Sequence, residues 1–591
     1  MPALVELETP TRPKVGFVSL GCPKNLVDSE VMMGLLHHNG AQLTPNAEDA
    51  EIIVINTCSF IDSAKQESVN TILEMVGHKQ QNGGKAQRII VAGCLVERYR
   101  DEIRKNIPEV DAVIGTGELE SILAAAGLVP QVRIPAAGHA PPPNSPFNIL
   151  APVPGGPSFA PPAKGGVSSE ARPSSTPEPQ ALVSRAPSAV HQHSRPESNS
   201  PQLQISQAAG ETASDAGAPS TRSLPGNAAT NLSGPPQTSR PEGDAREQSG
   251  RFSRETWDGA AADLPTYLYT EHTPRILTTP RASAYIKIAE GCDHPCTFCI
   301  IPQLRGKFRS RPVASIVAEA RALIAGGVRE ITLIGQDTTC YGEDLGPDPI
   351  SGKRPELADL LDALAPLPGL RWLRFLYAYP NKITTRLLET IAKHDSVAKY
   401  LDVPLQHASA NVLKRMKRGG SGDRFLQIIS KARATIPGLV VRTSFIVGFP
   451  GETEADFQEL CSFVQAARID WLGVFTYSDE DGAQAFNLAP ELKLPKRTIE
   501  TRRRRLMRLQ QKISARSKRD WVGRELDLLV EGPSEETDLL WQARSAQHAP
   551  EIDGKIFIND FGPHETLIPG TFYRAEITES HDYDLVARIL D

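Results

Sequence analysis

The stretch AEGCDHPCTFCIIP, residues 289–302, places Cys292, Cys296 and Cys299 within eight positions. A structural zinc site usually takes four protein ligands, commonly from two short cysteine pairs, whereas this loop offers three thiols and no nearby fourth. Three thiolates can hold three irons of a cubane cluster and leave the fourth iron open, just as a catalytic metal keeps one position vacant. A zinc site completed by His294 is the alternative, although a histidine between two of the cysteines would strain so tight a loop.

The chain around this loop alternates between strand-like and helix-like runs. The strand-like runs are AYIKIAEG (284–291), EITLIGQD (330–337), WLRFLYAY (372–379), YLDVPLQH (400–407), VVRTSFIVGF (440–449) and WLGVFTYS (471–478). Six β/α units in series predict a parallel barrel or partial barrel, and such barrels carry their functional groups where the strands end. The three-cysteine loop follows the first strand, so we expect it at that face.

A second, shorter series precedes the barrel. Three β-branched runs, VGFVSLGC (15–22), EIIVINTC (51–58) and RIIVAGC (88–94), each end in a cysteine, and the cysteines are 36 residues apart. Helix-like segments separate the runs, which predicts a parallel sheet with crossover helices. The carboxyl ends of parallel strands meet at one edge, so Cys22, Cys58 and Cys94 are expected to emerge together. The alternative for each is a small buried apolar side chain.

Composition divides the chain into four parts. Residues 131–250 hold 21 of the 49 prolines and only two aromatic residues, too little apolar surface for a packed core, which predicts a disordered linker. Beyond about Trp521, shorter alternating stretches predict a small antiparallel β-barrel. The predicted fold class is therefore α/β with a β-barrel at the C-terminus. The predicted parts are a parallel-sheet α/β domain (13–128), a linker (129–265), a partial barrel (266–515) and the β-barrel (516–591).

Charge is distributed unevenly along the chain. The net charge is −6, yet residues 493–519 carry twelve Lys or Arg against one acid. Apolar residues recur there at helical spacing beside the run RRRR (502–505), which predicts a basic amphipathic helix. Its basic face is either simply solvated or turned towards RNA or the ribosome. No signal peptide and no apolar run of about 18 residues occurs, so we expect a cytoplasmic protein without membrane contact.

The three-cysteine loop after the first barrel strand, with Phe298 before its last cysteine, resembles the radical S-adenosylmethionine superfamily. Three further cysteines ahead of the barrel and a β-barrel behind it resemble one family within it, the methylthiotransferases, whose C-terminal module is the TRAM domain. The resemblance covers all but the linker. GCPKNLVDSE (21–30), PLQHAS (404–409) and SFIVGFPGETEADF (444–457) resemble the branch that modifies a protein rather than tRNA.

This resemblance implies two [4Fe–4S] clusters. The trio Cys292, Cys296 and Cys299 would hold the cluster that chelates S-adenosylmethionine. The N-terminal trio would hold an auxiliary cluster involved in sulfur delivery. The implied steps are hydrogen abstraction by a deoxyadenosyl radical, sulfur insertion, and methyl donation by a second S-adenosylmethionine.

The implied reaction is methylthiolation of the β-carbon of an aspartate in ribosomal protein S12, free or within the ribosome. It would need a sulfur donor and an electron donor. Because that C–H bond is not acidic enough for a side-chain base, we expect a radical cofactor and no catalytic His or carboxylate. A tRNA adenosine 2-methylthiotransferase of the same family is the alternative, since TRAM domains commonly bind RNA. A non-enzymatic RNA-binding protein with structural zinc is the alternative from another class.

Further residues at the ends of the barrel strands are candidates for contact with S-adenosylmethionine. Gln336, Gln406 and Arg442 would lie near its methionine part. Phe298 and the GFPG turn, which contains Gly448 and Phe449, would flank its adenine. Ordinary loop or barrel packing is the alternative for each. The two remaining cysteines, Cys340 and Cys461, are expected to be structural.

Overall fold

The computed structural model describes residues 12–129, 265–348, 352–534, 537 and 539–591. The predicted linker, apart from its two end residues, lies outside these ranges. All described residues belong to one compact unit.

The N-terminal module is a five-stranded parallel sheet with the strand order β2-β1-β3-β4-β5. Its elements are β1 (Lys14–Ser19), α1 (Pro23–His38), β2 (Gln42–Thr44), β3 (Ile52–Thr57), α2 (Asp62–Val76), β4 (Arg88–Gly93), α3 (Cys94–Asn106), β5 (Ala112–Ile114) and α4 (Ile122–Ala125). The three predicted strands are the central ones, whose β-branched residues are buried on both faces. The two edge strands, β2 and β5, have three residues each, too few for a sequence pattern to show.

The central module is a parallel β/α series in two three-stranded sheets, β10-β9-β6 and β11-β12-β13, joined by a single bridge between Leu373 and Val397. Its strands are β6 (Ser283–Lys287), β7 (Ala289–Glu290), β8 (Arg309–Ser310), β9 (Glu330–Ile334), β10 (Trp372–Phe375), β11 (Tyr400–Asp402), β12 (Val440–Val447) and β13 (Trp471–Thr476). Its helices are α5 (Ile301–Arg305), α6 (Val313–Ala325), α7 (Leu357–Leu364), α8 (Thr385–Lys393), α9 (Ala410–Arg415), α10 (Gly422–Thr435) and α11 (Glu454–Ala467). The prediction of six consecutive β/α strands forming a partial barrel is confirmed, with β7 and β8 forming a separate hairpin.

The C-terminal module is a closed five-stranded barrel with the order β14-β15-β16-β18-β17. Its strands are β14 (Glu525–Pro533), β15 (Trp541–Arg544), β16 (Ile556–Asp560), β17 (Phe572–Ser580) and β18 (Leu585–Ile589). All pairs are antiparallel except β16 with β18, which run parallel. The basic helix α12 (Lys496–Arg519) connects the two barrels and continues past residue 515, where the predicted domain boundary falls.

The arginine run in α12 is largely occupied by intramolecular ion pairs. Arg502 is buried and lies 2.8 Å from a carboxylate oxygen of Glu452, while Arg505 pairs with Glu454 at the same distance. The apolar residue Leu506 of the same helix is fully buried in the barrel core. The run therefore fastens α12 to the barrel, and only part of its charge faces solvent.

Helix α1 is buried on almost every side, including its polar residues. Lys24, Asn25, Asp28, Ser29 and Glu30 all have less than a tenth of their surface exposed. They are covered because α1 lies between its own sheet and the central barrel. No helix in the described ranges combines the length and the apolar character needed to cross a bilayer.

Candidate active site

The N-terminal cysteine trio lies at the carboxyl edge of the parallel sheet. The register pairs Thr57 with Gly93, so Cys58 and Cys94, one residue further on, leave adjacent strands side by side. Gly21, at φ +92°, precedes Cys22, and a Cβ at this position would lie 2.7 Å from the Cβ of Cys58. Only glycine fits so close an approach in this backbone conformation.

Cys58 and Cys94 are buried, Cys22 is partly buried, and a buried amide orders the loop between them. The Asn25 amide donates to the carbonyls of Leu20 and Thr57, at 3.0 and 2.9 Å. Burial raises the pKa of the Cys94 thiol to about 11, and burial raises the pKa of Cys58 further, with the neighbouring Cys94 and Cys22 adding to the shift. Thiols that influence one another's charge and are hard to ionise alone suit a cationic metal centre, which stabilises thiolates.

The second trio lies in the loop between β7 and α5. The Cys299 amide donates to the Cys296 carbonyl at 3.2 Å, and the Cys292 amide donates to the Gly306 carbonyl at 3.2 Å, so the loop folds back on itself. Burial raises the pKa of Cys299 to about 12 and that of Cys292 to about 11, and the thiols of the loop add to both shifts. In this trio Cys296 is buried, while Cys292 and Cys299 are partly buried.

His294 turns away from the role of a zinc ligand within its own loop. Its Nε2 lies 2.5 Å from Oδ2 of Asp337, and its ring stacks on Tyr379 with the centroids 3.9 Å apart. The same carboxylate accepts a hydrogen bond from the thiol of Cys340 at 3.1 Å. Cys340 is therefore linked to the three-cysteine loop by hydrogen bonds through Asp337 and His294.

A buried arginine accompanies each trio, and sequence reasoning missed both. Arg305, at the end of α5, places a guanidinium nitrogen 3.4 Å from Sγ of Cys94. Arg418 places one 3.5 Å from Sγ of Cys296. No spacing rule links either arginine to its cysteine, because the contacts span 211 and 122 residues of chain.

These surroundings fit iron–sulfur clusters. Each trio supplies three buried or partly buried thiols, and the adjacent guanidinium complements the negative charge of a thiolate-bound cluster. Among the described residues, neither trio has a fourth cysteine in its own loop or at its own sheet edge. The residues present therefore match cubanes with one open iron better than tetrahedral zinc.

Arg305 also belongs to a buried network that joins the N-terminal module to the barrel. Its guanidinium donates to Oδ2 of Asp28 at 2.6 Å and to the Asn25 side chain. The Lys287 ammonium donates a hydrogen bond to the other oxygen of Asp28 at 2.5 Å and one to Glu290 at 2.6 Å. The network joins α1 directly to the strand and helix that flank the three-cysteine loop.

The residues predicted to flank adenine lie together. Phe298 packs in one small apolar cluster with Phe449, whose ring meets Tyr477 edge-on at 5.4 Å. The Gly448 and Phe449 amides donate to the Glu452 carboxylate at 2.5 and 3.2 Å, which fixes the GFPG turn. These two candidates therefore share one wall next to the three-cysteine loop.

The three polar candidates are dispersed. Gln336 donates to Glu290 at 2.5 Å, so it belongs to the buried network of Arg305, Asp28 and Lys287. Gln406 adopts φ +72°, an unfavourable conformation for a non-glycine residue that is typical of functional loops. Arg442 is buried and pairs with Asp402 at 2.8 Å and Asp553 at 3.5 Å.

Family models match three stretches of the chain. The model of the radical SAM superfamily matches residues 286–464, the model described as uncharacterized protein family UPF0004 matches residues 14–115, and the TRAM domain model matches residues 522–590. Together with the three-cysteine loop at the barrel edge, these matches define a radical S-adenosylmethionine protein, a class whose cofactors are S-adenosylmethionine and an iron–sulfur cluster.

Curated relatives identify the family. The chain is 58% identical over 586 residues to the ribosomal protein uS12 methylthiotransferase RimO of Koribacter versatilis, with 99% of this chain and 98% of the relative covered. It is 47% identical to the protein of that name from Solibacter usitatus, covering 98% of this chain and 95% of the relative. The relative from Sorangium cellulosum is 37% identical, with coverage of 98% and 91%. The chain belongs to the family of the ribosomal protein uS12 methylthiotransferase RimO.

Among solved structures, the radical S-adenosylmethionine methyltransferase TsrM from Kitasatospora setae is 12% identical with a TM-score of 0.42, covering 78% of this chain and 73% of that chain. This similarity is too distant to support conclusions about the chemistry.

Proposed function

We propose that this protein transfers a methylthio group to the β-carbon of an aspartate in ribosomal protein uS12, in the cytoplasm where ribosomes are assembled. The names of its relatives support uS12 as the substrate. The observation that supports the reaction type is the contact of Arg305, six residues after Cys299, with Sγ of Cys94 at 3.4 Å, because it links the segment that follows the three-cysteine loop to the N-terminal trio. The tRNA alternative is not favoured by these relatives.

In this proposal Cys292, Cys296 and Cys299 hold one [4Fe–4S] cluster, at which S-adenosylmethionine binds, and Cys22, Cys58 and Cys94 hold a second. When bound, these groups supply removal of a hydrogen atom from an unactivated carbon and delivery of sulfur and a methyl group. The protein itself supplies binding, orientation and shielding. Phe298 and Phe449 offer an apolar wall for the adenine of S-adenosylmethionine.

The chain's own residues hold the N-terminal module against the barrel. Asp28 on α1 is bonded at once by Lys287 and Arg305, both from the barrel, at 2.5 and 2.6 Å. All three side chains are at most 4% exposed, so the ion pairs are little screened by water. These bonds hold α1, which begins next to Cys22, against the barrel residues that flank the three-cysteine loop.

The activity is tested by incubating the anaerobically reconstituted protein with purified uS12, S-adenosylmethionine, sulfide and a low-potential reductant. We expect uS12 to gain the mass of one methylthio group, located on an aspartate by fragment-ion mass spectrometry. Total tRNA treated in parallel should gain no methylthioadenosine. A mark on tRNA alone would overturn the proposal in favour of the tRNA-modifying branch.

The two clusters are tested by metal analysis. We expect about eight irons per chain after reconstitution, since each cubane holds four. Replacing either trio by alanine should remove about half of them. Cys461→Ala serves as the matched control because Cys461 lies in helix α11, part-exposed and away from both trios. Zinc in place of iron, or a trio variant with its full iron content, would contradict the assignment.

A further inference from the structure

Lys24 is a buried lysine whose ammonium group lacks an anion. It lies on the first turn of α1, two residues after Cys22, and only 7% of its surface is exposed. Among the residues that the structure describes, none places a carboxylate oxygen within the 4.0 Å of an ion pair with its Nζ. Nζ instead lies 3.0 Å from the centroid of the Tyr377 ring.

Besides Cys22, the acidic groups whose charges act on Lys24 are Asp402 and Glu290, and both already bond to other cations and donors. Asp402 accepts from Arg442 at 2.8 Å and from the backbone amide of Tyr377 at 2.8 Å. Glu290 accepts from Lys287 at 2.6 Å and from Gln336 at 2.5 Å. A charge removed from water is costly unless it is paired, so an unpaired ammonium at this position points to an anion that arrives with a ligand.

The position of Lys24 indicates which ligand would bring this anion. Helix α1 begins next to Cys22 of the N-terminal trio, whereas Tyr377 lies two residues beyond the end of β10, at the edge of the barrel. Tyr377 adopts φ +66°, and the amide of Thr338 donates to its carbonyl at 3.2 Å, so its ring is held under the ammonium at some conformational cost. The ammonium thus lies where the start of α1, next to Cys22, meets the end of a barrel strand.

We infer that Lys24 binds the side-chain carboxylate of the substrate aspartate and so presents its β-carbon to both trios; the inference rests on the proposed function. A carboxylate oxygen about 2.8 Å from Nζ places the β-carbon roughly 4 Å away, since that carbon is bonded to the carboxyl carbon. Lys24 is then a specificity-determining residue: it accepts an aspartate and rejects an asparagine. The Tyr377 ring supports the ammonium through its negative face.

The test compares two substrates, uS12 and a uS12 variant in which the modified aspartate is replaced by asparagine. The enzymes are wild type, Lys24→Met, which keeps side-chain length without charge, and Lys24→Arg, which keeps the charge. Lys518→Met is the matched control. Lys518 is also a buried lysine, 2% exposed, with Nζ 3.5 Å from the centroid of the Trp471 ring, but it lies in α12 outside the site.

We expect wild type and Lys518→Met to favour the aspartate substrate by about 100-fold or more in kcat/KM, the loss typical of leaving one partner of a buried charged pair unpaired. Lys24→Met should reduce this ratio to less than about threefold, mainly through KM, while its iron content stays at the wild-type level. Lys24→Arg should keep the preference for aspartate. Equilibrium binding of fluorescently labelled uS12 gives the same comparison without turnover.

Each other outcome has a defined meaning. If wild type modifies uS12 and Lys24→Met keeps the preference for aspartate, the role of Lys24 is refuted while the proposed function stands. If Lys24→Met loses about half its iron, Lys24 serves the auxiliary cluster and the inference is refuted. If wild type leaves uS12 unmodified, the proposed function fails and the inference fails with it.

Discussion

The buried network around Arg305 leads to a quantitative prediction about how the N-terminal module is held on the barrel. In Arg305→Met, Asp28 loses a hydrogen bond of 2.6 Å and the Asn25 side chain loses its donor. A hydrogen bond to a charged group contributes about 1.5–3 kcal/mol, so two such bonds set an upper bound of about 6 kcal/mol. Lys287 still bonds both Asp28 and Glu290, which leaves neither carboxylate alone. We therefore expect a loss of about 3 kcal/mol in the free energy of unfolding.

The measurement is urea unfolding of the iron-free, reduced full chain, followed by circular dichroism. Arg371→Met is the matched control, because Arg371 pairs with Asp527 at 2.9 Å while both side chains are about half exposed. An exposed pair of this kind contributes less than about 1 kcal/mol. The reasoning would be refuted if Arg305→Met unfolded within about 1 kcal/mol of wild type, no further away than the exposed control.

Two further predictions concern packing and pH. Gly34→Ala should destabilise the chain by about 2 kcal/mol in the same assay, because the added Cβ would lie 2.3 Å from the carbonyl oxygen of Pro274, and overpacking outweighs the gain in helix propensity. Gly346→Ala, with no atom within 4 Å of the added Cβ, should change the stability by less than about 0.5 kcal/mol, and equal effects would exclude the close contact as the cause. His407 should make the chain less stable in acid. Burial lowers its pKa to about 3 in the folded chain, whereas the pKa in the unfolded chain is near 6.5. Below pH 6.5 the unfolded chain therefore binds a proton that the folded chain does not, which favours unfolding. Between pH 7 and pH 5 this costs about 2 kcal/mol, and His407→Gln should lose that part of the pH dependence; an unchanged slope would assign the effect to other groups.

The central strands of the N-terminal parallel sheet could be predicted from the sequence because their residues are buried on two faces and read as continuous β-branched runs. The prediction that Cys22, Cys58 and Cys94 emerge at one edge follows from strand phase alone, and the pairing of Thr57 with Gly93 gives the register that places two of them side by side. These inferences need only local pattern and the geometry of parallel sheets.

Helix α1 shows what local pattern cannot supply. Its residues 24–30 are mostly polar and would be assigned to a solvated face, yet they are buried because they bond to a barrel about 250 residues later in the chain. The same limit hid Lys24, Arg305 and Arg418, whose partners are distant in sequence. The arginine run of α12 shows the reverse case. Its sequence suggested a fully solvent-facing or RNA-facing basic surface, but part of its charge is paired within the protein.

The return of the chain at Pro265 has a practical consequence. A Cβ added to Gly117 would lie 2.9 Å from the Cα of Pro265, and Arg275, ten residues later, pairs with Glu30 of α1 at 2.6 Å. The chain therefore leaves the N-terminal module after residue 129 and comes back onto that same module before it enters the barrel. Both ends of the intervening stretch therefore lie against the N-terminal module, so we expect an affinity handle inserted between residues 129 and 265 to be tethered beside that module.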